Sequence, residues 1–123
     1  MNHQQGLGFL ADLFKSFSKT GTGSATAVYT VPTPNSGAVP PVLPTTTIVK
    51  SIRLSNSSGG SITPAITMTD NSSSNLATVL YSTAIADGGF VEVLDQPIVL
   101  EQQDAINITG NGLVILVSIM EIT

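Results

Sequence analysis

The stretch that decides the fold runs from Ser61 to Thr69, SITPAITMT, where apolar and hydroxyl side chains alternate. Isoleucine and methionine fall on one side of an extended chain and threonine on the other, the period of two that predicts a half-buried β-strand. Pro64 lies on the apolar side and indicates an edge strand or a bulge, because proline cannot donate a backbone hydrogen bond. The polar turn Asp70–Asn75 follows directly.

Similar short stretches fill the chain on both sides of this segment. Turn residues separate them about every 8–12 residues, which is typical of an antiparallel β-sandwich or jelly roll. Leu113–Ile122 is apolar on both faces, so we expect a central or covered strand, and Asn111–Gly112 before it signals a hairpin. The fold class predicted is all-β, with about seven or eight strands. The other predicted strands are Ala27–Val31, Ile48–Ser55, Ala77–Ser82, Phe90–Leu94, Pro97–Leu100 and Ala105–Ile108.

A helical period precedes the strands, between Leu7 and Lys19. Its apolar side chains cover about half of a helical circumference, so we predict an amphipathic N-terminal helix that acts as an arm. A helix this short is marginal alone in water, and its apolar face needs a partner. That partner is either the chain's own sandwich or a neighbouring protein. The residues predicted to dock are Leu7, Phe9, Leu10, Leu13, Phe14 and Phe17.

The chain is predicted to divide at residue 26. Residues 1–26 comprise the arm and a Gly/Ser/Thr linker, Thr20–Thr26, and residues 27–123 form the sandwich. A stiff proline-rich loop is expected at 32–46, because five of the seven prolines fall between Pro32 and Pro44.

Composition excludes several classes of function. Charged residues make up 10% of the chain, the net charge is −4, and 29 of 123 residues are serine or threonine. No basic field is available to bind nucleic acid or anionic lipid. The absence of cysteine excludes disulfide scaffolds and thiolate metal sites. No secretory leader or membrane span is recognised, which predicts synthesis and folding in a reducing cytoplasm.

The sequence offers little chemistry. Its single histidine, His3, lies near the N-terminus, and its acids fall mostly in predicted turns with no spacing that singles out a catalytic pair. The oxygen-rich stretch Asp70–Asn75 lacks the further acids and the glycine of a calcium loop. We therefore predict no enzyme, no catalytic residues, no cofactor and no metal.

Three segments together carry a resemblance. They are Val28–Pro32 (VYTVP), Ile48–Asn56 (IVKSIRLSN), and Leu94–Glu101 (LDQPIVLE), followed by Asp104 and an apolar closing strand. The chain in this respect resembles small β-sandwich virion proteins of tailed bacteriophages, which occur as tail-fibre, neck or capsid-surface components. It departs from them in the long proline-rich loop and in the N-terminal arm.

The resemblance implies a non-enzymatic virion structural protein, made in the host bacterial cytoplasm and assembled into the particle. Its expected partners are copies of itself and other capsid, neck or tail proteins, without nucleic acid or membrane. The alternative is a carbohydrate- or receptor-binding module that recognises a host-surface glycan through the turns at Asn56, Asn71 and Asn111. A membrane-active arm is a third possibility.

Overall fold

The structure is a computed structural model that describes residues 12–123, and it consists of strands and connecting turns. A single turn of 3-10 helix, Asn71–Ser73, interrupts the strands. The strands are β1 Asp12–Thr20, β2 Thr26–Thr30, β3 Thr46–Asn56, β4 Ala65–Asp70, β5 Leu76–Tyr81, β6 Phe90–Glu92, β7 Ile98–Leu100, β8 Ala105–Thr109 and β9 Leu113–Ile122.

The strands form two antiparallel sheets. One has the order β1-β9-β3, with the short strands β6 and β7 both paired to the far edge of β3. The other has the order β2-β8-β4-β5. The predicted all-β, antiparallel architecture is confirmed, and each of the eight predicted strands has a counterpart.

The core lies between the two sheets and is built mainly of isoleucine, leucine and valine. Alternate residues of β9 point inward from the five-stranded sheet, and alternate residues of β8 point inward from the other. This two-residue period explains why the core is mainly aliphatic while most serine and threonine side chains remain outside, with Thr45 and Thr47 as buried exceptions. The largest fully buried side chains are Ile52, Leu54, Ile66, Leu100, Ile106, Ile108, Leu113, Ile115, Ile119, Val31, Val49 and Val117.

The predicted N-terminal helix is wrong over the residues that the structure describes. Asp12–Thr20 is strand β1, paired with β9 at every position from Asp12 opposite Ile122 to Thr20 opposite Val114. The spacing of four between Leu13 and Phe17 suits both a helix and a strand, and pairing with β9 selects the strand. Residues 7–11 of the predicted helix lie outside the described part of the chain.

The hairpin predicted at Asn111–Gly112 is wrong. This turn links the two sheets, because β8 and β9 belong to different sheets. Gly21 packs against it: its N–H donates to the Leu113 carbonyl at 2.7 Å. A side chain at Gly21 would collide with the carbonyl oxygen of Gly110. The segment predicted as a flexible linker is thus hydrogen-bonded to the sandwich at its first residues.

Candidate assembly surface

An apolar row crosses the outer face of the five-stranded sheet. Phe14 of β1 lies opposite Met120 of β9, which lies opposite Ile48 of β3, which lies opposite Val99 of β7. Phe14 is 69% exposed and Val99 60%, while Met120 and Ile48 are half-buried between them. Contiguous exposed apolar side chains on a small domain mark a surface that meets a partner. We call these four residues the apolar row.

A row of serines lies beside the apolar row on the same face. Ser16, Ser118 and Ser51 are opposite one another on β1, β9 and β3. These side chains are small and carry no charge that must be desolvated when another surface covers the face.

The charged groups of this face lie over its aromatic rings. The Lys50 ammonium is 5.2 Å from the centre of the Phe14 ring, and the Arg53 guanidinium is 4.6 Å from that of Phe90. Arg53 also faces Glu92, with 3.7 Å between the nitrogen and the carboxylate oxygen. Each cation is attracted by the ring face beneath it, and Lys50 therefore places one positive charge at the Phe14 end of the apolar row.

The outer face of the four-stranded sheet has a different character. It presents small hydroxyl, amide and methyl groups, and the Asn107 side chain there donates to Thr69 at 3.4 Å. Among its described residues none carries a charge. The side chains of this face are Ala27, Thr30, Ala65, Thr67, Thr69, Ala77, Val79, Ala105, Asn107 and Thr109.

Strand β5 is the exposed edge of the four-stranded sheet. Among residues 12–123 it pairs only with β4, and its sequence LATVLY carries no charge. Leu76 is 65% exposed and Val79 61%. An uncharged strand edge of this kind is a template for pairing with another strand.

The opposite side of the sandwich, where β1 lies beside β2, is closed by a buried polar cluster. The Tyr29 hydroxyl donates to Glu121 at 2.6 Å and lies 2.7 Å from the Thr47 hydroxyl. The Lys15 ammonium reaches the other oxygen of Glu121 at 2.8 Å. The Phe17 ring packs against the Tyr29 ring, with 5.2 Å between their centres.

Both acidic groups of this cluster have shifted pKa values. Burial raises the pKa of Glu121, but the hydrogen bonds from Lys15 and Tyr29 outweigh it, so the net effect is a lowered pKa. Burial and the hydrogen bond to Glu121 raise the pKa of the Tyr29 hydroxyl well above its usual range. The cluster therefore holds a carboxylate and a neutral phenol at neutral pH, and it fastens β1 and β2 to β9.

The predicted docking residues fall into three groups. Leu7, Phe9 and Leu10 lie outside the described residues. Phe17 is half-buried against the chain's own core, whereas Leu13 and Phe14 remain exposed. Of the described members, Phe14 belongs to the apolar row and Phe17 to the interior.

The three turns predicted for glycan binding do not come together in one site. Asn56 lies at the end of β3, opposite Leu113, and a Cβ atom placed on Gly112 would lie 3.3 Å from that of Ser58, which places Asn111 at the same end. Asn71 lies at the other end, beside Thr46, in a cleft of about 380 Å³. Its side chain already donates to Gln103 at 3.0 Å. The cleft is lined by Pro44, Thr45, Thr46, Asn71, Ser72, Glu101, Gln102 and Gln103.

Two further carboxylates, those of Asp70 and Asp104, hold turns in place. Asp70 accepts hydrogen bonds from Ser72, which lower the pKa of its carboxyl group, and Asp104 accepts from the backbone of Asn71 and Glu101. Within residues 12–123 no group of three or more His, Cys, Asp or Glu side chains is placed to hold a metal ion. The described residues also include no helix long and apolar enough to cross a membrane.

The apolar row could not be predicted from the sequence because it depends on the register of four strands. A signal was present in β9, where Val114, Leu116 and Met120 alternate with the core residues and make both faces apolar. That pattern predicted a covered strand, but not the neighbours of each side chain.

Comparison with known proteins supports the fold alone. No protein-family model matches the sequence, and no curated protein matches it. A solved structure of Bacillus endospore appendages, described as a family of disulfide-linked pili, is similar with a TM-score of 0.51 and 11% identity, over 92% of this chain and 87% of that chain. A crystal structure of PirA is similar with a TM-score of 0.48 and 13% identity, over 85% and 92%. The chain therefore shares a sandwich fold with the appendage subunit.

Proposed function

We propose that this chain is a non-enzymatic structural subunit that assembles with copies of itself. The observation that carries the proposal is the apolar row, which ends at Phe14 on β1 and Val99 on β7, both mostly exposed. Covering these side chains removes apolar surface from water.

The fold and the composition support the same proposal. The structure with a TM-score of 0.51 is described as a pilus-forming appendage, so the sandwich fold is used elsewhere to build a polymer. This chain has no cysteine, and its contacts between copies are therefore formed without the disulfide links described for that appendage.

The setting that we propose is a bacteriophage particle, as a head-decoration, neck or tail component. The stretches VYTVP, IVKSIRLSN and LDQPIVLE support it through their resemblance to phage virion proteins. The fold shared with an endospore appendage supports a bacterial surface fibre instead. Immunoelectron microscopy distinguishes the two: label on phage particles supports the first, and label on cell or spore fibres overturns it.

The N-terminal arm supplies a second contact in this proposal. Leu7, Phe9 and Leu10, with Leu13 and Phe14 at the start of β1, dock on a neighbouring subunit or another virion protein, while Phe17 stays in the chain's own core. Deleting residues 1–11 leaves β1 and the sandwich intact and is expected to reduce incorporation into particles. Normal incorporation of the truncated chain would contradict arm docking.

The self-assembly proposal is tested by removing the apolar row. In sedimentation velocity over a concentration series, the double variant Phe14→Ser/Val99→Ser is expected to self-associate at least about tenfold more weakly than the original chain, since two exposed apolar side chains that an interface buries together contribute about 1.4 kcal/mol or more. Val39→Ser is the matched control, because Val39 is 98% exposed on the proline-rich loop. Equal association of all three proteins would overturn the proposal.

A further inference from the structure

Among residues 12–123, strand β5 is an edge that carries no charge and has no strand beyond it, although its pairing with β4 shifts register between Ile66 and Thr67. The β1 edge carries Lys15 and Lys19, and lysines on an edge oppose pairing with another strand. The β2 edge shifts register between Ala27 and Tyr29 and lies against Phe17. Strands β6 and β7 have three residues each. Strand β2 is uncharged as well but lies beside β1, so among the described edges β5, with six residues, is the long uncharged one that no other strand covers.

We infer that the free edge of β5 pairs with a strand from a second copy, and that residues 6–11 supply that strand. This inference rests on the proposed function and deepens it. The segment reads GLGFLA and matches the six residues of β5 in length. It carries no charge, and Leu7 and Phe9 fall on the same side of an extended chain.

Chain connectivity excludes the same copy as the source of the strand. Residue 11 is bonded to Asp12, the first residue of β1, and β1 lies beside β2. The β5 edge is three strands beyond β2 in the other sheet, about 14 Å away at the usual strand spacing. A segment bonded directly to β1 cannot run along its own β5, whereas it can run along that of a neighbour.

Pairing of this kind is head-to-tail, because the donating segment and the accepting edge are different surfaces of the subunit. Such a contact does not saturate in a pair and continues along a chain of copies. The backbone hydrogen bonds of the added strand supply affinity, and the exposed side chains of Leu76 and Val79 provide apolar contacts.

The cysteine-free chain allows a direct test by disulfide cross-linking. The full-length variants Phe9→Cys and Val79→Cys are mixed in equal amounts and oxidised, and the products are separated without reductant. A cross-linked pair of twice the 12.7 kDa chain mass is expected in the mixture and in neither variant alone. Phe9→Cys mixed with Val39→Cys, at a fully exposed loop position, is the control for random collision.

The outcomes separate this inference from the proposed function. Cross-linking of Val79→Cys to itself would show β5 against β5 and overturn the inference, as would equal reaction of Phe9→Cys with Val39→Cys. Val79→Lys gives a second readout: assembly is expected to weaken at least about tenfold with unchanged thermal stability. Unchanged assembly of Val79→Lys overturns the pairing and leaves self-assembly standing, whereas an original chain that stays monomeric overturns both.

Discussion

The two sides of the sandwich deal with exposed strand edges in opposite ways. At the closed side, β1 and β2 are held by the buried carboxylate of Glu121, the Tyr29 hydroxyl and the Lys15 ammonium. At the open side, β5 presents Leu76 and Val79 to solvent without a single charge. The difference indicates that the closed side serves the stability of one copy, and that the open side is available for assembly.

The largest effect is expected from breaking the closed side. Glu121→Ala removes a buried acceptor shared by Lys15 and Tyr29, and we expect it to lower the free energy of unfolding by about 2–3 kcal/mol, measured by urea denaturation. Glu92→Ala is the control, since its pair with Arg53 is solvent-exposed and worth less than about 1 kcal/mol. Equal losses in the two variants would contradict the role given to the cluster.

A second change on the closed side tests the packing beyond β1. Gly21→Ala places a methyl group against the Gly110 carbonyl, and we expect a loss of about 1–3 kcal/mol by the same measurement, as for other overpacked sites. Gly23→Ala has open space around the new methyl group and should cost much less. A Gly21→Ala variant as stable as Gly23→Ala would show that the turn shifts freely.

Acid should weaken the closed side through Glu121. Its folded-state pKa is lowered, so its contribution to the free energy of unfolding is fully present above the pKa that Glu121 has in the unfolded chain, near 4.5. That contribution is lost as the pH falls through the lower pKa of the folded state. Urea midpoints measured between pH 6 and pH 3 should fall less for Glu121→Gln than for the original chain. If the urea midpoints of the two proteins fell in parallel over this pH range, the role given to Glu121 would be contradicted.

The open side should show the smallest effect on stability. Val79→Ser changes a side chain that is 61% exposed, and we expect its free energy of unfolding to stay within about 0.5 kcal/mol of the original. Its self-association, measured by light scattering, should nevertheless weaken. A variant that loses stability but assembles normally would reverse the roles of the two sides.

Much of the fold could be predicted because its strands are short and regularly patterned. Segments such as Ala105–Thr109 and Leu113–Ile122 can be recognised from the alternation of their side chains and from the turn residues between them. The face of a strand is harder to predict. A strict period of two would place Ile48 on the same face as Ile52, but the register shifts between Val49 and Ser51 and turns Ile48 outward into the apolar row.

The candidate site was predictable only in part for the same reason. Exposed Phe14 belonged to the predicted docking set, but the other members of the apolar row, such as Met120 and Val99, come from distant parts of the chain. The cluster at Glu121 joins residues 92 positions apart, Tyr29 and Glu121, which no local period connects. At Asp12–Thr20 the sequence predicted a helix, and pairing with β9 makes this segment a strand.

The central claim, that the chain assembles with itself, is tested most directly by the mass of the full-length protein in solution. Sedimentation equilibrium over a concentration series should show species well above the 12.7 kDa of one chain, shifting toward that mass in the Phe14→Ser/Val99→Ser variant. A mass of 12.7 kDa at every concentration would contradict the account.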